Sequence, residues 1–393
     1  MRVAVVFRGI AAESGGNYMF ADTLLRTLRA IEPETSHSFV YYSTGPAPDP
    51  DTIAIPMGRA AMIRRGIVRA IRDTQDRVGA PRRRGLTTTW FERSLEEQRV
   101  DFVWFATYYA EDCQLPYIFT VLDIEYLLQP WFPEVSRAGE WERRHYYFSR
   151  YIPKATRVIV ANETGAQQVR KRFGLASKSL LTLHHPTSRF ALEAAAGDPA
   201  PRDIVERLGI ARPYLLYPAR LWAHKNHVHL LEALAELKRR TRNRFELVCV
   251  GSGDADHIRN VARELGVADA LHMRGFVTTS ELIALYQNAH ALTYTSVFGP
   301  ENLPPLEAMA LGCPAVVADI PGAADQLGDA AMRVSPTDPH QIAEAVLGLE
   351  DAETRRSLIS AGRKLAAERT PARYVQGVLD FLDEFEQVKR MWG

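Results

Sequence analysis

Two cations, Arg220 and Lys225, stand with four residues between them, after an apolar run, YLLYPA, and before a helical pattern, HVHLLEALAELKRR. A forked guanidinium and a compact ammonium converging at a strand end suit a diphosphate. The same pair also reads as a solvated basic loop. Further on, FGPENLPPLEAMALG puts Pro304 and Pro305 in the first turn of a helix, where a missing N–H costs nothing. Glu307 follows one turn inside. At that depth a carboxylate can accept two hydroxyls, as a ribose diol presents them, while amides of the GPEN loop reach a phosphate. A buried glutamate capping its own helix is the alternative.

Weaker signals accompany these. Gly251 and Gly253 in VGSGD, and Phe276 and Val277 in RGFV, follow strand-like runs, where backbone can approach a ligand or merely turn. Gly15 and Gly16 in ESGGN precede the first helix, whose N-terminus attracts anions. They do not form a GxGxxG fingerprint, so a dinucleotide site is unsupported. Asp123 and Glu125 lie just past a strand and suit sugar hydroxyls or a base, with helix capping by Asp123 as the plain reading. His224 is a phosphate neighbour at most.

These residues need a frame that brings strand ends together. Strands are expected at Arg2–Phe7, Phe39–Tyr42, Phe102–Phe105, Tyr117–Val121 and Arg157–Ala161. In the second half YLLYPA, FELVCVG, ALTYTS and PAVVAD alternate with helical patterns, one of them capped by Thr279 or Ser280. Such alternation means parallel sheets with right-handed crossovers. AAAGDPAPRD, around Ala194 to Asp203, reads as a linker. Two doubly wound α/β domains facing across a cleft follow, with ligands beyond the carboxyl ends of the strands.

Bulk properties exclude other classes. The 393 residues suit two domains, and a net charge of +1 argues against a nucleic-acid binder. The three cysteines have no metal-ligand spacing and read as free thiols in a reducing cytoplasm. The N-terminal run is too short for a signal peptide, and no run is long enough to cross a bilayer. No carboxylate pair has metal-site spacing, so neither a metal nor another cofactor is expected.

In combination and in this order, YPARLWAHKNH, GSGD, RGFV, ELIALYQNAHAL and FGPENLPPLEAMALGCPAVV resemble the retaining GT-B glycosyltransferases of family 4. The likeness spans most of Pro201 to Leu365. VLDIEYLLQPWFPEVS and the glycine loop extend it loosely into the first half. The resemblance implies an acceptor-side Rossmann-like domain over 1–195 and a nucleotide-sugar-binding domain over 203–370. A C-terminal helix, 371–393, would cross back onto the first. It implies a metal-independent transferase moving a hexose from a GDP- or UDP-linked donor, with retention. The acceptor would be a saccharide or lipid-linked saccharide in bacterial surface polysaccharide or lipopolysaccharide assembly. Arg220 and Lys225 would hold the diphosphate and Glu307 the ribose. Backbone at Phe276 and Val277 would meet the base, and amides from Asn302 through Leu303 to Pro304 the phosphate and sugar. Gly15 and Gly16 would lie by the donor phosphates or acceptor. Two positions depart from the family: Gly299 stands where an earlier glutamate is common, and Leu122 where a histidine often precedes the aspartate. Glu301 is the expected substitute for the lost glutamate at the transferred sugar. The rival readings are a GT-B epimerase or hydrolase and an inactive nucleotide-sugar-binding scaffold.

One further segment is unusual. From Arg59 to Arg84 there are nine arginines against Asp73 and Asp76. Met62, Ile63, Ile67, Ala70 and Ile71 fall near one helical face. Such a helix suits an anionic membrane surface, which would make the protein cytoplasmic and peripheral. Packing on the first domain as a solvated basic helix is the alternative.

Overall fold

The computed structural model describes residues 1–9, 16–44, 49–78 and 88–392. Among the described residues thirteen strands form two sheets. The first holds β1 (Arg2–Arg8), β2 (Ser38–Thr44), β3 (Thr52–Ile55), β4 (Phe102–Phe105), β5 (Tyr117–Thr120), β6 (Arg157–Val160) and β7 (Leu180–Thr182), in the order β3-β2-β1-β4-β5-β6-β7. The second holds β8 (Tyr214–Pro218), β9 (Glu246–Val250), β10 (Leu271–Arg274), β11 (Ala291–Tyr294), β12 (Ala315–Ala318) and β13 (Met332–Val334), in the order β10-β9-β8-β11-β12-β13. Every pairing is parallel. The central strands are unbroken apolar runs because helices cover both faces: Val3 to Val6, Phe102 to Phe105 and Leu247 to Cys249 are all buried.

The two doubly wound domains expected from the sequence are present. Three strands that the sequence pattern does not reveal, β3, β7 and β13, and β10, of which it marks only the end at RGFV, are the four sheet edges. Each has only three or four residues and one neighbour, so its apolar signal is weak. The helix expected to be capped by Thr279 or Ser280 is capped by Thr278. The Thr278 hydroxyl accepts from the Glu281 amide, and the Glu281 side chain returns to the Thr278 amide.

The chain crosses between domains earlier than the expected linker. The Arg189–Ala195 helix packs on the second core through Ala191, with Phe190 and Leu192 against it, so the crossing falls at Leu183–Ser188 rather than after 195. Leu181 and Leu183 still pack on the first core. The return crossing lies alongside: Thr187 donates its amide to Arg369 O at 2.8 Å and its hydroxyl to Ala366 O at 2.9 Å. The Pro371–Lys389 helix then buries Tyr374, Val375, Val378 and Leu382 against Phe20, Leu24 and Leu28 of the first domain. The helix that crosses back is therefore part of the first domain's core.

Candidate functional site at the interdomain cleft

In the second sheet, strand order reverses between β8 and β11, and loops diverge there to leave a crevice at the strand ends. The two loops bounding it are those that the sequence singles out. After β8 come Arg220 and a short 3-10 turn, Ala223–Lys225. After β11 come Thr295 to Asn302, leading into the Leu303–Ala310 helix. Lys225 joins the two loops, its Nζ donating to Tyr294 Oη at 2.9 Å and Ser296 Oγ at 3.3 Å. An ammonium has three donors, so one remains for a ligand. The Arg220 guanidinium lies over the Trp222 ring, 4.9 Å from its centroid, which fixes the plane of the fork.

Backbone packing explains the glycines. A β-carbon on Gly251 would lie 2.2 Å from Ala219 O, and one on Gly253 would lie 2.8 Å from Leu221 Cβ. The VGSGD turn must pass directly against the β8 loop, so its glycines set the shape of the cation loop. Phe276, 58% exposed, and the partly exposed Val277 form an open lip beyond β10. Gly15 lies outside the described residues. Gly16 opens the Gly16–Ile31 helix instead of preceding it.

The amides expected around Asn302 to Pro304 are fewer than the spacing suggests. The Asn302 amide is taken by Gln326 Oε1 at 3.0 Å, and Gln326 Nε2 returns to Asn302 O at 2.7 Å. Prolines at 304 and 305 have none. Leu303 keeps the first-turn amide able to meet a phosphate.

Both glutamates of this loop sit differently from expectation. Glu307 is buried and turned from the cleft; Ser188 Oγ donates to one oxygen at 2.6 Å and Tyr286 Oη to the other at 2.7 Å. The two hydroxyls it accepts are the chain's own, because its helix buries this face against the Arg189–Ala195 and Thr279–Asn288 helices. Burial pushes its carboxyl up. Glu301 is also buried, and burial raises it well above the carboxylate range. It accepts from the His185 amide at 2.7 Å and pairs with His184 Nδ1. It thus ties the loop after β11 to the interdomain crossing, with each oxygen already engaged there. Its neighbour Gly299 has φ +95°, and a β-carbon there would lie 3.1 Å from Glu301 O. A glutamate at this position would be strained on this backbone. Gly299→Glu is expected to destabilise by about 1–3 kcal/mol, seen as a lower midpoint in urea, without any gain in donor binding.

The first domain closes on these loops through the segment after β5. Glu125 accepts from the Gly299 amide at 3.3 Å and from Gln129 Nε2 at 2.9 Å; Gln129 also donates to Val297 O at 2.8 Å. Glu134 accepts from the His224 amide at 3.1 Å and lies 3.2 Å from His224 Nδ1. The His224 ring stacks on Phe298 at 3.9 Å, so this histidine serves the domain contact and not a phosphate. The Asp123 carboxylate accepts from the Glu125 amide at 3.0 Å, an Asx turn ahead of the Glu125–Leu128 helix; the cap position itself is Ile124, so Asp123 is not the expected cap. Asn162 caps the Glu163–Phe173 helix through Gly165 N and donates across the cleft to Pro300 O at 2.9 Å. Sequence spacing misses Asn162, Glu134 and the His184–His185 pair as site residues. Their one visible signal is polar residues flanked by apolar runs, as in VIVANETG and LLTLHHP.

Glu125 carries a testable consequence. Burial, then the charge of Asp123, pushes its carboxyl up to about 7. A raised folded value means that the native state prefers the neutral acid. Its contribution is complete below the unfolded value, about 4.5, and is lost as pH rises towards 7. The unfolding free energy of the native protein, from urea titrations, should therefore fall between pH 5 and 7.5 by up to about 3 kcal/mol from this group, and Glu125→Gln should flatten that fall. Equal slopes in both proteins would refute it.

Among the described residues the one group of three possible metal ligands, His37, Asp383 and Glu386, lies by Met1 at the amino end of β1, away from the cleft.

Residues 203–365 match the family model described as "Glycosyl transferases group 1". The chain is similar to the O-antigen chain mannosyltransferase B of Escherichia coli, 29% identical over 202 residues, 48% of this chain and 52% of that one. It is also similar to the O-antigen chain mannosyltransferase RfbU of Salmonella typhimurium, 30% identical over 139 residues, 35% and 38% of the two chains. The matches thus span about half or less of those relatives. Among solved structures it resembles a glycosyltransferase from Rickettsia africae, with TM-score 0.68, 14% identity and 98% of both chains covered. It also resembles Anabaena HepE in complex with UDP-glucose, with TM-score 0.66, 16% identity and 97% and 99% covered. Likeness over the whole length at such identity establishes the fold, the two-domain GT-B arrangement.

Proposed function

We infer that the protein is a retaining glycosyltransferase that moves a hexose from a nucleoside-diphosphate sugar to a hydroxyl of a saccharide or lipid-linked acceptor. The observation that carries this reading is Lys225, held at the strand-order reversal with its ammonium bridging the β8 and β11 loops beside Arg220. The family match over 203–365 covers these loops. The relatives named for O-antigen mannosyl transfer favour a surface-polysaccharide acceptor. The UDP and UDP-glucose complexes of HepE favour a nucleotide-sugar donor, UDP-linked by that likeness, with a GDP-linked donor as the alternative.

In this reading the sugar C1–O bond to the diphosphate lengthens first. Lys225, Arg220 and the Leu303 amide stabilise the charge gathering on the leaving group, in fixed positions that need no reorganisation. The acceptor oxygen bonds to C1 on the face that the diphosphate leaves, and its proton passes to the departing phosphate oxygen. Configuration is retained and no side-chain base is required. Two cations take the part that a divalent metal plays elsewhere. Glu307 and Glu301 support the loop from behind.

The test is a thermal-shift screen across UDP-, GDP- and dTDP-sugars, followed by nucleotide diphosphate release with and without acceptor, in excess chelator. Acceptor-dependent release, with the product's anomeric configuration unchanged by NMR, supports the reading. Acceptor-independent release of free or epimerised sugar would favour the hydrolase or epimerase reading. Donor binding without turnover would favour the scaffold.

A further inference from the structure

The Arg59–Arg77 helix packs with the reverse of the usual polarity. A surface helix ordinarily buries its apolar stripe and shows its charges to water. Here the charges turn inward. Arg65 pairs with Glu111 at 3.1 Å, Arg69 with Asp112 at 3.0 Å, and Arg72 with Glu92 at 2.5 Å. Arg150 adds pairs to Asp112 at 3.1 Å and Asp73 at 3.0 Å. The inward arginines are neutralised by carboxylates from elsewhere in the first domain. Outward stand Ile63, Ile67 and Ile71, spaced four apart, at 56%, 56% and 40% exposure, with Met62 at 57% and Val78 at 70%. At helical spacing Arg64 lies along one side of this stripe and Arg59 and Arg77 along the other, all three exposed.

We propose that this face docks on an anionic lipid surface, with the isoleucine stripe in the headgroup–acyl boundary and Arg59, Arg64 and Arg77 on lipid phosphates. Charge complementarity selects this occupant. The helix's acid with a described side chain, Asp73, is paired with Arg150, so the outward face presents cations and apolar side chains. Two copies pairing through this face would set Arg59, Arg64 and Arg77 of one against the same arginines of the other. From Ile63 to Arg77 the helix runs about 21 Å, and no helix among the described residues is long and apolar enough to cross a membrane. It therefore lies in the plane of the interface. Docking here is independent of the transfer chemistry, since none of these residues reaches the cleft.

The experiment is flotation of the full chain with phosphatidylcholine vesicles, with and without phosphatidylglycerol, at low and high salt. Wild type is expected to float with the anionic vesicles, and salt should weaken binding. Replacing Arg59, Arg64 and Arg77 together by alanine should lower the partition roughly a hundredfold at low salt. Ile63→Asp with Ile67→Asp should lower it roughly tenfold or more, with an unchanged melting curve because both side chains already face water. Binding that ignores phosphatidylglycerol and salt, or no binding to either vesicle, overturns the proposal. So does a dimer in sedimentation that Ile67→Asp abolishes, because the stripe would then be a self-association interface. An unchanged melting temperature with lost flotation separates docking from misfolding.

Discussion

Lys225→Ala is expected to lower turnover by about 30- to 5,000-fold, the equivalent of about 2–5 kcal/mol of transition-state stabilisation, while the melting temperature barely moves. The structure separates the two effects. Lys225 is partly exposed at a strand end, and its protein partners are two hydroxyls, Tyr294 Oη and Ser296 Oγ. Both can turn to water when the ammonium goes, so little folding energy is lost. A diphosphate leaving group has no such replacement, because charge develops where the ammonium was held. Lys225→Arg should not rescue, since a planar fork cannot keep both hydroxyl contacts and still point its charge at the same spot. Arg220→Ala should fall in the same range, with an added loss from freeing Trp222. The measurement is acceptor-dependent nucleotide diphosphate release at saturating donor, with melting curves alongside. Wild-type turnover in Lys225→Ala would remove the diphosphate from this loop.

The same residues show what a sequence can disclose. Arg220 and Lys225 are legible because one strand–loop–helix segment carries both, and the parallel alternation says where such a loop must open. The central strands are legible because burial on both faces leaves unbroken apolar runs. Contacts between domains are not legible, since each joins residues far apart in the chain: Glu134 with His224, Asn162 with Pro300, Glu301 with His184. Nothing local in PENLPP distinguishes a glutamate aimed at a sugar from one folded under the loop to meet a histidine pair. The arginine-rich helix fails in the same way. Its apolar stripe is plain in the sequence, but which face turns inward depends on Glu92, Glu111 and Asp112, supplied by segments beyond it.

Glu307 gives the sharpest separation between a ligand role and a supporting one. Glu307→Ala is expected to cost about 2–4 kcal/mol of stability, because it leaves two buried hydroxyls without an acceptor and opens a small cavity. The hydroxyls are Ser188 Oγ and Tyr286 Oη, and the Tyr286 side chain is fully buried. Affinity for free nucleotide diphosphate, measured by calorimetry well below the melting temperature, should stay within a fewfold of wild type. A ribose ligand would show the opposite pair of effects, weaker nucleotide binding with unchanged stability. A double-mutant cycle sharpens the comparison. Tyr286→Phe removes one of the stranded hydroxyls, so Glu307→Ala should cost about 1 kcal/mol less in that background than in wild type. Additive losses would mean that the Tyr286 hydroxyl does not depend on this carboxylate. A nucleotide affinity that collapses at an unchanged melting temperature would return Glu307 to the cleft, as the side chain that reads the ribose.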